Sequence, residues 1–289
     1  MDVRRFIDLH VHIGPEIIPR RFTAGSLARE ESGKLRGVAL KNHFVPTTPF
    51  IREIQEENDI LLIGSVTLNN YVGGLNPDAV YSAAKLSDKP IIVWFPTINA
   101  TNFLKTSRYE LPPEWVGNGF TSRLSGKIIG ITITGKDGEL TQQACRVLES
   151  IKENDCILAT GHLSWQESDI LVKKAISLGI DRIVITHPIY QKIDMPIEVQ
   201  QELVKSKGVY IEQTYAMCLI DKIPIDVIAE QIRQLGPENC IISSDVGQIS
   251  SPGPSVALER FTELLIEQGL TEDQLRIMGE RNPRRLLGI

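Results

Sequence analysis

Residues 5–12 read RFIDLHVH, a short and mainly apolar run that ends in histidine. Seven more runs of this kind follow along the chain, separated by helical patterns. They are residues 37–43, 61–68, 90–97, 156–162, 181–187, 208–214 and 240–245. Strands that are apolar almost throughout are typical of parallel sheets, which are buried on both faces. The sequence therefore predicts eight parallel strands.

Capping signals mark the helices between these runs. Asn76 precedes Pro77, and proline is favoured at the first position of a helix. Ser164 and Thr271 each begin a capping box, with Glu or Gln three residues later. Strands that alternate with helices predict an α/β fold, and a (β/α)8 TIM barrel fits eight of them best. A doubly wound sheet is the alternative, but no Gly-x-Gly-x-x-Gly turn follows the first strand.

Residues 98–140, between the fourth and fifth predicted strands, do not fit this repeat. They contain two adjacent prolines and a hairpin-like pattern whose turn is Asp137-Gly138. We expect an inserted loop or hairpin here, which would form a lid or an oligomer contact. With this insertion the chain fits one barrel domain over residues 1–289.

The composition excludes several classes of protein. Lys and Arg number 31 against 36 Asp and Glu, a net charge of −5, and no segment carries the basic stripe that nucleic-acid binding needs. No apolar run approaches the roughly 20 residues that cross a bilayer, and the N-terminus has no signal-peptide pattern. The four cysteines are scattered, as in a reduced compartment. We therefore expect a cytoplasmic protein with a small-molecule substrate and without nucleic-acid or membrane partners.

The five histidines all fall at or near the ends of predicted strands. They are His10 and His12 on the first strand, His43 on the second, His162 on the fifth and His187 on the sixth, while Asp245 ends the eighth. In a (β/α)8 barrel the carboxyl ends of the strands form the face that carries the active site. We therefore expect these side chains to converge on one site.

Side-chain alternation along a strand predicts which residues face the barrel interior. On the first strand Phe6, Asp8, His10 and His12 share one face, and Ile7, Leu9 and Val11 share the other. The apolar set is expected to pack on the helices, so that the polar set faces inward. By the same alternation, the second strand directs Ala39, Lys41 and His43 inward.

Histidines gathered in this way indicate a metal site. Buried imidazoles need partners, so five of them at strand ends have no role in stability alone. Neutral imidazole nitrogens with one carboxylate suit Zn²⁺, Mn²⁺, Fe²⁺ or Ni²⁺, of which zinc is the first choice. The predicted ligands of one or two divalent ions are His10, His12, His162, His187 and Asp245.

The order of these motifs resembles the amidohydrolase superfamily. The matching segments are Asp8-Leu9-His10-Val11-His12, Gly161-His162-Leu163-Ser164, Thr186-His187-Pro188 and Ser243-Ser244-Asp245-Val246-Gly247. The resemblance implies a (β/α)8 barrel, a metal-dependent hydrolase, and a more buried metal held by His10 and His12. His162 and His187 would hold a second metal, or one of them would contact substrate in a one-metal enzyme. Asp245 would touch the metal and take the proton from the attacking water.

The chain departs from this pattern on the fourth strand, where two-metal members often place a bridging carboxylated Lys or a Glu. Residues 93–97, VWFPT, supply neither. Some relatives take the bridging ligand from the second strand, where Lys41 is directed inward. Lys41 could therefore be a carboxylated bridge, a cation that binds an anionic substrate group, or part of a structural salt bridge.

Two more polar residues have several open roles. His43 could bind metal, shuttle protons, orient substrate or make a structural hydrogen bond near the mouth of the barrel. Glu212 on the seventh strand could act in the site, or it could pair with Lys41 or another barrel charge.

The expected activity is metal-dependent hydrolysis of a C–N or C–O bond in a small polar substrate, such as an amide, a lactone or a related ester. Asp245 would orient the water, receive its proton and pass it to the leaving group. A phosphoesterase and a non-hydrolytic decarboxylase are alternatives on the same scaffold. A metal-stabilised binding protein without turnover is the alternative from another class. We further expect a homo-oligomer.

Overall fold

The computed structural model describes residues 1–52, 54–55, 58–116 and 121–289. Residues 117–120, which belong to the predicted insertion, lie outside the described residues.

Parallel strands and helices alternate along the described chain, as the sequence predicts. The strands are β1 (Ile7–His12), β2 (Gly37–Lys41), β3 (Leu61–Ile63), β4 (Ser65–Thr67), β5 (Ile92–Trp94), β6 (Ile157–Ala159), β7 (Ile183–Ile185), β8 (Val209–Thr214) and β9 (Cys240–Ser243). The α-helices are α1 (Ala24–Glu31), α2 (Thr48–Arg52), α3 (Pro77–Lys85), α4 (Thr101–Thr106), α5 (Gln142–Glu153), α6 (Trp165–Ser177), α7 (Ile197–Leu203), α8 (Tyr215–Leu219), α9 (Ile225–Leu235), α10 (Pro254–Glu267), α11 (Glu272–Arg276) and α12 (Asn282–Leu287). Every predicted strand position is occupied by a strand, and the third is divided into β3 and β4.

The strands form two parallel sheets, in the orders β1-β2-β3 and β4-β5-β6-β7-β8-β9. Gly64 alone separates β3 from β4, at a point where a Cβ atom would clash with Thr48. At the other edge a single parallel bridge joins Val11 to Val246, and the His12 amide donates to the Val246 carbonyl at 2.8 Å. An α/β fold of parallel strands is therefore confirmed. The described ladders do not form the continuous closed barrel that the sequence predicts.

Side chains from both sheets form one inner apolar cluster. Its strand residues are Ile7, Leu9, Ala39, Ile63, Ile92, Trp94, Ile157, Ala159, Val184, Tyr210 and Ile241. Leu286 and Leu287 of α12 belong to the same cluster. A larger outer cluster joins strands to helices through residues such as Leu27 of α1 and Val147 of α5. The strands of both sheets therefore share one packed apolar interior.

At the start of β1 the side chains face the opposite way from the prediction. Ile7 and Leu9 lie in the inner cluster, whereas Phe6 lies in the outer cluster. The sequence predicts the opposite, with Phe6 inward and the two aliphatic residues on the helices. Val11 does lie in the outer cluster as predicted. The alternation is therefore interrupted between the two halves of the strand.

A register shift explains this interruption. Asp8 pairs with Val38 of β2, but Val11, three residues later, pairs with Leu40, only two residues later. Such a β-bulge adds one residue to one strand and reverses the faces of the residues beyond it. His10 consequently faces the interior although Leu9 before it does so as well.

The predicted helix caps are present. The Asn76 side chain accepts from the Asp78 amide at the start of α3, and Ser164 and Thr271 form capping boxes at α6 and α11. Among the described residues, every helix is too short or too polar to cross a lipid bilayer.

The segment between β5 and α5 contains α4, short 3-10 turns and isolated bridges. Thr134 and Leu140 form one antiparallel bridge, and the Gly135 amide donates to the Glu139 carbonyl at 2.8 Å. Gly138 has a φ of +81°, a left-handed conformation that glycine adopts without strain. The turn thus lies where the sequence places it, while its flanking strands reduce to one bridge. That this segment is an insertion stays a prediction.

Candidate metal centre

The candidate site is a cavity of about 230 Å³ at the carboxyl ends of the strands. Five of the predicted residues line it, namely His12, His43, His162, His187 and Asp245. His10, Lys41 and Glu212 are buried next to this set, since His10 contacts Asp245, Glu212 contacts the backbone of His187, and Lys41 contacts His10. The structure therefore brings together all eight residues that the sequence singles out.

Three imidazoles surround the carboxylate of Asp245. Oδ1 lies 3.1 Å from Nε2 of His10 and 3.1 Å from Nε2 of His12. Oδ2 lies 3.8 Å from Nε2 of His187. One ligand atom each from His10, His187 and Asp245 fall within 4.8 Å of one another, the arrangement that a shared ion requires.

The backbone presents these side chains in unusual conformations. Asp245 has a φ of +52° and His187 a φ of +21°, a region that residues other than glycine rarely occupy. The Asp245 amide donates to the His10 carbonyl at 2.9 Å, which ties this turn to β1. Such strain is typical of functional sites, where the surrounding contacts hold it.

His162 and His187 carry the strongest sign that a ligand is needed. Their ring centroids lie 5.2 Å apart, and each Nδ1 atom is buried without a hydrogen-bond partner among the described residues. A buried polar atom without a partner is unfavourable. A divalent metal with nitrogen and oxygen ligands is the kind of group that such a donor set fits.

The carboxylate of Glu212 orients His10. Its oxygens lie 3.1 and 3.2 Å from Nδ1 of His10, and one of them accepts from the His187 amide at 3.3 Å. A carboxylate accepts only, so Nδ1 carries the hydrogen, and Nε2 is left with a lone pair that accepts from Nζ of Lys41 at 2.8 Å and lies 3.1 Å from Oδ1 of Asp245. Glu212 thus lies among the candidate ligands, and both roles left open for it stay predictions.

Lys41 reaches the same histidine from the other side. Its Nζ atom lies 2.8 Å from Nε2 of His10 and 4.9 Å from the centre of the Trp94 ring. The side chain is buried, and burial lowers the pKa of this amine to about 8. Lys41 thus lies beside the candidate ligands, as its predicted inward direction requires.

Burial keeps the histidines uncharged. It lowers the pKa of His10 and of His187 to about 3, and it lowers the pKa values of the other three histidines well below the ordinary value. Burial also raises the pKa of Asp245, although the neighbouring His10 and Lys41 act against this. Neutral imidazoles are the form that binds metal ions.

Sequence reasoning missed Glu16 and Arg20, which contact the candidate ligands. Nη2 of Arg20 lies 3.2 Å from Nδ1 of His12, and Nε of Arg20 forms a short ion pair with Glu16. The other oxygen of Glu16 accepts from the His43 amide at 2.9 Å. Both residues lie in the loop after β1, where no motif or strand alternation indicates their direction.

Asp8 does not line the cavity, contrary to its predicted inward direction. Its Oδ1 accepts from the amides of His10 and Ser244, both at 3.1 Å. Burial raises the pKa of this carboxyl to about 7. Asp8 therefore connects the bulge of β1 to the turn that carries Asp245.

Several solved structures share the fold of this chain. An amidohydrolase from Pseudomonas aeruginosa is 12% identical, with a TM-score of 0.58 over 98% of this chain and 97% of that one. An amidohydrolase from Burkholderia multivorans is 11% identical, with a TM-score of 0.58 over 98% and 99%. N-acetyl-D-glucosamine-6-phosphate deacetylase from Mycobacterium smegmatis is 13% identical, with a TM-score of 0.56 over 98% and 76%. The resemblance to the amidohydrolase superfamily is thereby confirmed for the fold.

A family model places the sequence more narrowly. The chain belongs to a family of unknown function (DUF6282), whose model matches residues 5–212. The matched range includes four candidate ligands, His10, His12, His162 and His187, and ends before Asp245. No curated protein matches the chain.

Proposed function

We propose that this protein is a metal-dependent hydrolase that cleaves a C–N or C–O bond in a small polar substrate, such as an amide, a lactone or a related ester. The observation that carries the proposal is the gathering of buried, neutral histidines around the Asp245 carboxylate, in a cavity at the carboxyl ends of the strands. Barrel enzymes carry their active sites at this face.

The proposed metal ligands are His10, His187 and Asp245, with His162 and His12 beside them. The first three already have their ligand atoms within 4.8 Å of one another. His12 can bind a metal through Nε2 only when its hydrogen is on Nδ1. Arg20 can only donate to that atom, so it would have to turn away from His12, and a protonated Lys41 would likewise have to turn away from Nε2 of His10. Zinc is the first choice, and a second ion would lie toward His162.

A divalent ion bound at these residues would acidify a water molecule and polarise the oxygen of the scissile bond. Asp245 is placed to accept the proton of that water, because its carboxylate lies among the imidazoles and borders the cavity. A proton held there could pass to the leaving group as the bond breaks. Glu212 keeps His10 in the tautomer that this arrangement needs.

Lys41 keeps the three roles that the sequence leaves open. Its distance of 2.8 Å from Nε2 of His10 supports a role within the site. As a carbamate formed with CO₂ it would offer two oxygens to a pair of metals, whereas as an ammonium it would attract an anionic substrate group. An electron-density map of the metal-loaded protein separates these, since only the carbamate adds atoms to Nζ.

The proposal extends to the architecture that holds the site. We propose that the two sheets act as one eight-stranded barrel, with β3 and β4 as a single bent strand. The inner cluster shared by both sheets and the bridge between Val11 and Val246 support this. The cytoplasmic location and the homo-oligomer expected from the sequence remain proposals as well.

The test combines metal analysis with a screen of amides, lactones, carboxylic esters and phosphoesters. We expect hydrolysis of a compound of the first three kinds, stimulated by zinc and abolished by a chelator. Asp245→Asn should lower kcat by at least roughly 10²-fold, since it removes the proton acceptor. Asp88→Asn, at an exposed position, is the matched control and should leave the rate unchanged.

Two outcomes would contradict the proposal. One is full metal content and full activity in both Asp245→Asn and His10→Ala, which would place the reaction elsewhere. The other is turnover of phosphoesters alone, or loss of CO₂ from a carboxylic acid with one metal per chain, which would favour the alternatives on the same scaffold.

A further inference from the structure

His43 has a hydroxyl as a hydrogen-bond partner. The side chain is buried and lines the cavity, with its ring centroid 4.7 Å from that of His12. Nδ1 of His43 lies 3.0 Å from Oγ1 of Thr97. Either group could donate in this bond, so the direction has to come from the neighbours of Thr97.

Asn69 shows which of the two groups donates. The orientation of its own amide is fixed by hydrogen bonds to three backbone groups. Oδ1 accepts from the amides of Thr97 at 2.9 Å and Asn99 at 3.3 Å. Nδ2 donates to the carbonyl of His43 at 3.1 Å. Backbone amides only donate and carbonyls only accept, so the oxygen and the nitrogen of Asn69 cannot be exchanged.

The same Nδ2 atom of Asn69 donates to Oγ1 of Thr97 at 2.9 Å. Thr97 is buried, and among the described residues the remaining neighbour of its hydroxyl is Nδ1 of His43. If Nδ1 of His43 donated instead, the hydroxyl hydrogen of Thr97 would be buried without an acceptor, which is unfavourable. The hydroxyl of Thr97 therefore donates to Nδ1 of His43.

We propose that Asn69 and Thr97 hold His43 as the Nε2–H tautomer, which offers a hydrogen-bond donor to an oxygen of the substrate in the cavity. A neutral imidazole that accepts at Nδ1 carries its hydrogen on Nε2. The substrate contact rests on the proposed hydrolase function, whereas the tautomer does not. Asn69 and Thr97 are positioning residues in this arrangement.

The arrangement removes two of the roles open to His43, those of metal ligand and proton shuttle. His12, Glu16 and His43 also bring ligand atoms within 4.8 Å of one another, as a second metal group would. A nitrogen that carries a hydrogen has no lone pair for a metal, and Glu16 is already paired with Arg20. His43 thus acts as a donor and not as a ligand or a general base.

The fixed Nε2–H donor of His43 also indicates which class of substrate the cavity would bind. It fits a compound with an acceptor oxygen near the scissile bond, as in the carbonyl or carboxylate of an acyl compound. Sites built to bond such a group discriminate strongly against analogues that lack it, because the buried donor is then left unpaired.

The test reads the tautomer directly from the long-range ¹H–¹⁵N couplings of the imidazole rings in the full-length protein, both metal-free and loaded with zinc. His43→Gln identifies the His43 signals. We expect an unprotonated Nδ1 and a protonated Nε2 in both forms. Thr97→Ser keeps the hydroxyl and should keep this pattern, whereas Thr97→Val removes it and should release the hydrogen to either nitrogen.

Asn69→Asp provides a second, isosteric change. The aspartate accepts where the amide donated, so the Thr97 hydroxyl should turn toward it and His43 should become the Nδ1–H tautomer. With any compound that the wild type hydrolyses, His43→Ala should lower kcat by about 10²-fold, as removal of one oxyanion donor does. Thr97→Val should lower kcat more than Thr97→Ser does.

A protonated Nδ1 of His43 in the wild type would overturn the proposal, and so would a change at Nε2 when zinc is added. Unaltered spectra in both Thr97→Val and Asn69→Asp would overturn it too. Absence of zinc binding or of hydrolysis, with the expected tautomer present, would contradict the proposed function and leave the tautomer assignment standing.

Discussion

Glu212 positions two of the candidate metal ligands. Its carboxylate binds Nδ1 of His10 and also accepts from the backbone of His187, so one side chain positions two candidate ligands from different strands. Partners of this kind set the tautomer and the basicity of a metal-binding imidazole.

Glu212→Gln should therefore weaken zinc binding by about 10–100-fold, the usual effect of losing such a partner. The amide keeps the shape of the side chain but loses the negative charge that strengthens the bond from Nδ1. Competition with a chelator measures the affinity, and Glu198→Gln at an exposed position is the control. Equal zinc affinity in wild type and Glu212→Gln would refute this role.

The buried Asp8 carboxylate is a structural counterpart of Glu212. Because Oδ1 accepts from two backbone amides, Asp8→Leu should leave both without a partner and lower the free energy of unfolding by about 2–4 kcal/mol. Asp8→Asn keeps an oxygen that can accept these two bonds and should lower the free energy of unfolding clearly less. Urea unfolding compares the two variants, and equal losses would show that the two hydrogen bonds are not what matters.

At the scale of the elements, the junction of β3 and β4 depends on Gly64. A Cβ atom there would clash with Cγ2 of Thr48 at the start of α2, so Gly64→Ala forces the helix away from the sheet. Overpacking of this kind lowers stability by about 1–3 kcal/mol.

The companion change Thr48→Ser removes Cγ2 and should restore part of the stability of Gly64→Ala. Gly126→Ala is the matched control, because nothing lies within 4 Å of a Cβ atom at that position. Urea unfolding of the single and double variants measures both effects. Additive losses in the double variant would mean that Thr48 is not the obstacle.

At the scale of the whole molecule, the candidate ligands come from both sheets. His10 and His12 lie on β1, whereas His162, His187 and Asp245 follow β6, β7 and β9. A bound ion would therefore connect the two sheets at their carboxyl ends. It should raise the free energy of unfolding by about 2.7 kcal/mol when free zinc is at 100 times the Kd.

Thermal unfolding with zinc and with a chelator tests this stabilisation. The shift in Tm should be present in wild type and lost in His10→Ala, which is itself the control for zinc bound elsewhere. The same shift in both proteins would place the stabilising ion outside the cavity.

The sequence predicts much of this arrangement. The strand positions and the set of candidate ligands follow from the type of each residue and from its place along the chain. Strand positions follow from apolar runs, and the convergence of His162, His187 and Asp245 follows from their places at strand ends. The face of Ile7 and Leu9 could not be predicted, since the bulge in β1 arises from pairing with β2 and has no residue signature.

Contacts between distant loops form the part that the sequence does not predict. Arg20 reaches His12 from the loop after β1, and Asn69 reaches Thr97 across 28 residues of chain. The direction of such side chains depends on the packing of neighbouring loops, which strand alternation does not describe. The sequence therefore does not predict the role of His43, which depends on the hydrogen bonds of Thr97.

The most direct test of the metal centre is anomalous diffraction at the zinc edge from crystals of the zinc-loaded full-length protein. The account predicts a peak in the cavity bonded to His10, His187 and Asp245, at roughly 2.0–2.2 Å from their ligand atoms. A map in which zinc binds only outside the cavity, with these three side chains still in contact with one another, would contradict it.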